Sequence, residues 1–290
     1  MTDRIYKKPW PGIVAFTLAF CSQWLGHSAY TVIEQSFGDY HYWAAFAVGT
    51  VGFWVVWQGL ERAETQATWL GLLGGLLIWV GWFEFSFEFF AELYNVPPYQ
   101  VDELYAAGPN ANMLQASLPL MVGLFLLYGM FNRNTKCNFM RWFHRNLRFS
   151  PGMPVHNNQR NFARITAMET LFVIWFCYLF WLYAFYFGSQ SPPVAVAYVG
   201  WTSWALYLLW KLIRIPRVSH AVRYGIPAGI IGWGSFEMPT YFGAYDEMWL
   251  KPFEYPGTTL CVLAIFIACF IYVARHPRPG IGSHAATASA

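Results

Sequence analysis

Eight stretches of this chain are apolar on all sides for about 20 residues, and nothing else in the sequence limits its fold so tightly. They cover approximately residues 11–33, 41–60, 68–93, 111–131, 164–187, 193–212, 224–245 and 257–275. A hydrocarbon core of about 30 Å is crossed by a helix of about 20 residues, whereas the strand of a membrane barrel is shorter and alternates apolar with polar positions. Lipid offers no partner to backbone N–H and C=O groups, so each run must satisfy them within itself. The expected fold is therefore all-α: a polytopic integral membrane protein with eight transmembrane helices. Composition agrees, because only 11% of the 290 residues are charged, against about 25% in a soluble domain.

The basic residues orient the helices. With eight spans both termini lie on one face, and that face collects all of the 18 Lys and Arg residues except Lys251. Positive charge marks the cytoplasmic side, which predicts a multi-pass protein of the cell (inner) membrane with both termini in the cytoplasm. The opposite face carries Asp39, Asp102, Glu103, Asp246, Glu247 and Glu254. Such a rim either collects cations or is a solvated loop surface. No cleavable signal peptide is apparent, since the apolar run after Lys7 and Lys8 is too long. The five cysteines show no metal-finger spacing and four fall in apolar runs, so they read as small core residues rather than disulfides.

The chain divides into a first four-helix half (1–131), a basic cytoplasmic connector (132–163), a second four-helix half (164–276) and a tail (277–290). Within the connector, Arg141, Arg145 and Arg148 alternate with Phe139, Trp142, Phe143 and Phe149, the pattern of a short helix lying among lipid headgroups. Flanked by membrane spans, it argues against nucleic acid as a partner. The third helices of the halves end alike, in VGWFEFSFEFFAELYNVPP and IGWGSFEMPTYFGAYDEMWLKPFEYP. The likeness reads as a parallel repeat about an axis along the membrane normal, or as chance recurrence of Gly-Trp and Phe-Glu in an aromatic chain.

Glu84, Glu88 and Glu92 stand within or at the edge of the third apolar run. At 1.5 Å per residue, Glu84, His27 and Glu237 lie roughly 22–24 Å along their spans, one layer in the outer third of the membrane. Glu88 is one turn farther out, and His41 and Gln115 enter this level from neighbouring spans. Ionisable residues in spans are costly and face the bundle interior or an aqueous cavity. Glu84, Glu88, Glu237 and His27, with His41 as second choice, form a reasonable N/O ligand set for iron or copper. The same groups can hydrogen-bond a quinone, carry protons or cations, or pair as satisfied polar groups with no cofactor; Glu92 reads as interfacial.

Several classes fall away. A bis-histidine haem needs two facing histidines, and only His27 is deep. No lysine is placed for a retinal Schiff base, and no phosphate-cradling GxxxxGK[ST] loop occurs. What remains is an integral-membrane component of an oxidoreductase, monooxygenase-like or quinone-linked, with a carboxylate/histidine site. The alternatives are a proton- or cation-coupled transporter, for which Pro227, Pro239 and Gly74-Gly75 would break helices along a substrate path, and a structural subunit of a membrane complex. The expected partners are the lipid bilayer and other membrane subunits or further copies of the chain.

Overall fold

A computed structural model describes residues 7–100, 106–132, 138–148 and 161–275. Arg4, Asp102, Glu103, Cys137, Phe149, most of the 132–163 connector and the 277–290 tail lie outside the described residues. The fold is nearly all helical. Helices α1 (Trp10–Phe37), α2 (His41–Gly59) and α3 (Glu64–Ile78) come first, and α3 runs through a π turn (Trp79–Glu84) into α4 (Phe85–Leu93). Then follow α5 (Pro109–Ala116), α6 (Leu118–Phe131), the short α7 (Asn138–Asn146), α8 (Phe162–Phe185), α9 (Pro192–Leu212), α10 (Val218–Glu237) and α11 (Pro256–Ala274). A two-residue antiparallel pairing of Tyr99–Gln100 with Ala106–Ala107 is the small departure from helix.

Three helices are long and apolar enough to cross a membrane: Glu64–Leu93, Phe162–Phe185 and Pro256–Val273. A fourth joins them if α5 and α6, bent by 44° at Ser117, count as one span. That is fewer than the eight expected from the sequence. Helices α1, α2, α9 and α10 reach 28, 19, 21 and 20 residues, so length is not what separates them. Their polar residues, glycines and amphipathic Trp and Tyr dilute the mean hydropathy. The expected helix breaks are also corrected. Pro227 sits within a continuous α10, and Gly74-Gly75 sits within α3. Pro239 opens a 3₁₀ turn, Met238–Phe242, instead of interrupting a helix.

Small residues set how closely the helices approach. Gly71 and Gly75 of α3 face Ala163 and Ala167 of α8, and Gly225 and Gly229 of α10 face Ala15 and Ala19 of α1. A Cβ at Gly225 or Gly229 would stand 2.7 or 2.5 Å from the alanine methyl carbon. With no hydrophobic drive between helices in lipid, such small-residue seams let van der Waals contact hold the pair. The seams leave the larger side chains to meet farther along, where Trp24, Trp233 and Trp249 are buried against one another. By contrast α11 is almost unburied and turns Leu260, Leu263, Ile265, Ile267 and Ile271 outward.

Gly229→Val is expected to lower stability by about 1–3 kcal/mol through overpacking, and Gly71→Val to do the same. Gly123→Val, where an added Cβ meets nothing within 4 Å, should leave the thermal midpoint in detergent micelles unchanged.

Candidate functional site

The π turn is the local feature from which the site grows. Residues five apart lie one turn from each other in a π helix, so Trp79 and Glu84 come side by side and the Trp79 indole donates to Glu84 Oε1 at 3.0 Å. Gly81, at the middle of the turn, presses on the α2 backbone at Ala45 and Gly49, where any Cβ would overlap. From α8, the Tyr178 hydroxyl donates to the same Glu84 oxygen at 3.1 Å. The Tyr178 oxygen is 3.4 Å from His27 Nε2 of α1, and that nitrogen is 3.5 Å from Glu237 Oε1 at the end of α10.

Four side chains from four parts of the bundle thus form a row: Glu84, Tyr178, His27, Glu237. Its proton bookkeeping is consistent. With Tyr178 donating to Glu84, its oxygen can accept from a His27 Nε2–H, which also lies toward Glu237. Aromatic rings fix the geometry, since Tyr178 stacks on Trp79 with centroids 5.7 Å apart and His27 on Trp233 at 5.9 Å. Glu237 is only 9% exposed, so His27 is the partner that a carboxylate at such a place requires.

The structure therefore brings together three of the four residues favoured as ligands and leaves out Glu88. Glu88 stands beside Tyr30, Glu34 and His41, with one buried carboxylate oxygen unpartnered. His41 is held apart, its Nδ1 2.5 Å from the Gly38 carbonyl and its ring against Tyr42. Glu92 accepts from the Tyr42 hydroxyl at 2.6 Å on an exposed edge. Gln115 is engaged elsewhere, with Tyr99 and Tyr183. Among the described residues no group of three or more His, Cys, Asp or Glu side chains is placed to hold a metal ion, because a phenol stands between His27 and Glu84 where a shared ion would have to sit.

Two residues of the site escape sequence reasoning. Tyr178 lies sixteen residues beyond the first residue of α8, much as His27 lies seventeen beyond the first of α1. The same depth arithmetic, applied to hydroxyls as well as charges, finds it. Trp79 needs the π turn, which leaves no clear mark in the sequence. Glu169, an exposed carboxylate seven residues into α8 near Arg223, also goes unmarked.

On the side of Glu237 away from Glu84, a cavity of about 60 Å³ is lined by His27, Tyr178, Trp181, Trp233, Glu237 and Tyr241, among others. Beyond it, in the loop after α10, burial pushes the Glu247 carboxyl above its ordinary value of 4.5, while the Tyr241 and Thr240 hydroxyls and Lys251 pull the other way. No protein-family model, characterised protein sequence or solved structure matches the chain.

Because the folded-state value of Glu247 is raised, its charged form disfavours the fold, and stability is gained as pH falls through that value towards 4.5. Glu247→Gln should raise the melting midpoint at pH values above the raised value, with the gain shrinking as the pH approaches the ordinary carboxylate value. Melting curves of both proteins across that range test this.

Proposed function

We propose that the chain is a proton-translocating membrane transporter in which Glu84, Tyr178, His27 and Glu237 pass protons along their row. The carrying observation is the Tyr178 hydroxyl, which bridges Glu84 and His27. Groups that bind an ion converge on one point, whereas groups that relay a proton stand in sequence, each within hydrogen-bond reach of the next. A charged side chain at mid-membrane costs about 2.5–3.5 kcal/mol on insertion scales and is kept where it works. Such a row is costly to place by accident.

In this reading all eight helical segments cross the inner membrane, α3 with α4 and α5 with α6 each forming one span, and both termini lie in the cytoplasm. The two halves, 1–131 and 164–276, are a parallel repeat. Three correspondences support it. Helix α3 packs on α8 as α10 packs on α1. The glycine pairs stand at the same places, seven and eleven residues after the first residue of α3 and α10. Trp79 and Trp233 likewise both stand fifteen residues after it. Glu84 then follows its tryptophan by five residues and Glu237 by four, the one-residue difference that a π turn absorbs.

The oxidoreductase reading, with a quinone taking or giving the protons, draws support from the stacked Trp79–Tyr178 and His27–Trp233 pairs. It would use the same row as its proton path. Iron or copper has no comparable support from the geometry.

The test is proton flux in proteoliposomes under an imposed pH gradient. Tyr178→Phe keeps the ring on Trp79 and removes only the bridging hydroxyl, so flux should fall by on the order of tenfold or more, as it should in Glu84→Gln. Glu92→Gln, at the exposed edge, should match wild type. Flux in Tyr178→Phe equal to wild type would reject the relay.

A further inference from the structure

The cavity beside Glu237 carries more hydrogen-bonding capacity than the relay uses. Trp181 and Trp233 on its wall are 5% and 3% exposed, and the indole N–H of each is buried without a hydrogen-bond partner. The Trp233 indole lies against the Glu237 carboxylate without a well-formed bond to it. A buried donor left unpaired costs about 1–3 kcal/mol, and here two such donors border the same polar room. What satisfies them must accept a hydrogen bond from an indole and also donate to a carboxylate. A metal cation or ammonium ion cannot accept, and an anion would face Glu237. A volume of about 60 Å³ suits about two to four water molecules and is tight for a ring-sized organic ligand.

The room also leads outward. Tyr241 is on its wall, and the Tyr241 and Thr240 hydroxyls lie beside the Glu247 carboxylate, one of whose oxygens is buried with no partner. Glu247 belongs to the loop after α10, next to the 3₁₀ turn Met248–Leu250 and to Lys251. We infer that the cavity binds a cluster of water molecules, held by the Trp181 and Trp233 indoles and by Glu237, which connects the His27–Glu237 pair through Tyr241 to Glu247. Glu247 is then the group that exchanges protons with the outer solution. Its role rests on the relay reading, whereas the waters stand on the cavity and its two indoles.

Infrared difference spectra of the full chain, recorded between two pH values in ordinary water and in water labelled with oxygen-18, test the cluster directly. Wild type should show O–H stretching bands that shift with the label, and Trp181→Phe should remove or displace them. Absence of label-sensitive bands in wild type overturns the cluster whether or not the variant folds, and bands unchanged in Trp181→Phe overturn its attachment to that indole. Proton flux separates the remaining claims. Glu247→Gln should slow flux as Tyr178→Phe does. Normal flux in Glu247→Gln with loss in Tyr178→Phe overturns the outward route and spares the relay. Normal flux in Tyr178→Phe with the water bands present defeats the relay and spares the cluster.

Discussion

A carboxylate drawn among apolar helices must find a donor, and here one phenol hydroxyl serves two arms of the site at once. Tyr178 gives its proton to Glu84 and turns its oxygen to His27, which in turn stands next to Glu237. Remove that hydroxyl and Glu84 keeps only the Trp79 indole, while His27 keeps only Glu237. Buried polar networks are stabilising when every member is satisfied and costly when one is not. The surrounding tryptophans make sense in that light, because stacking on Trp79 and Trp233 fixes the rings whose edges carry the hydrogen bonds.

The glycine and alanine seams are what allow this. Backbone contact between α3 and α8, and between α10 and α1, brings the helix axes close enough for side chains of ordinary length to span the space between them. Each seam lies toward the start of α3 or α10, and the polar row lies two to three turns beyond it. Thus the packing of unreactive residues in one part of the bundle sets distances between reactive ones in another.

Much of this is legible in the amino-acid order, and what is not has physical reasons. Eight helical segments fall close to the eight apolar runs, because an all-round apolar stretch has no other way to satisfy its backbone. Helical rise alone puts Glu84, His27 and Glu237 at one level, and the structure joins them. Rotation is harder to read. Glu88 shares a face with Glu84 in an uninterrupted α helix, yet it stands with Tyr30, Glu34 and His41 and not in the row. The phenol at the centre carries no formal charge and so does not stand out in the sequence, although a neutral hydroxyl at depth needs a partner just as a carboxylate does. Pro227 and Gly74-Gly75 mislead for the opposite reason: they are breakers by propensity, but tertiary contact keeps both helices continuous.

The π turn at Trp79–Glu84 has a consequence for how two similar halves come to differ. One additional residue lengthens a helix by about 1.5 Å but rotates everything after it by about 100°. Helix α4 therefore leaves the site on a different bearing from the 3₁₀ turn that follows α10, and so Glu88 and Tyr241 inherit different neighbours. An ancestral pair of identical halves would have faced the central axis with identical chemistry. A single inserted codon is then enough to give the protein one arm ending in a carboxylate and another ending in a phenol, a polarity that no exchange of side chains on symmetric backbones would achieve in one step.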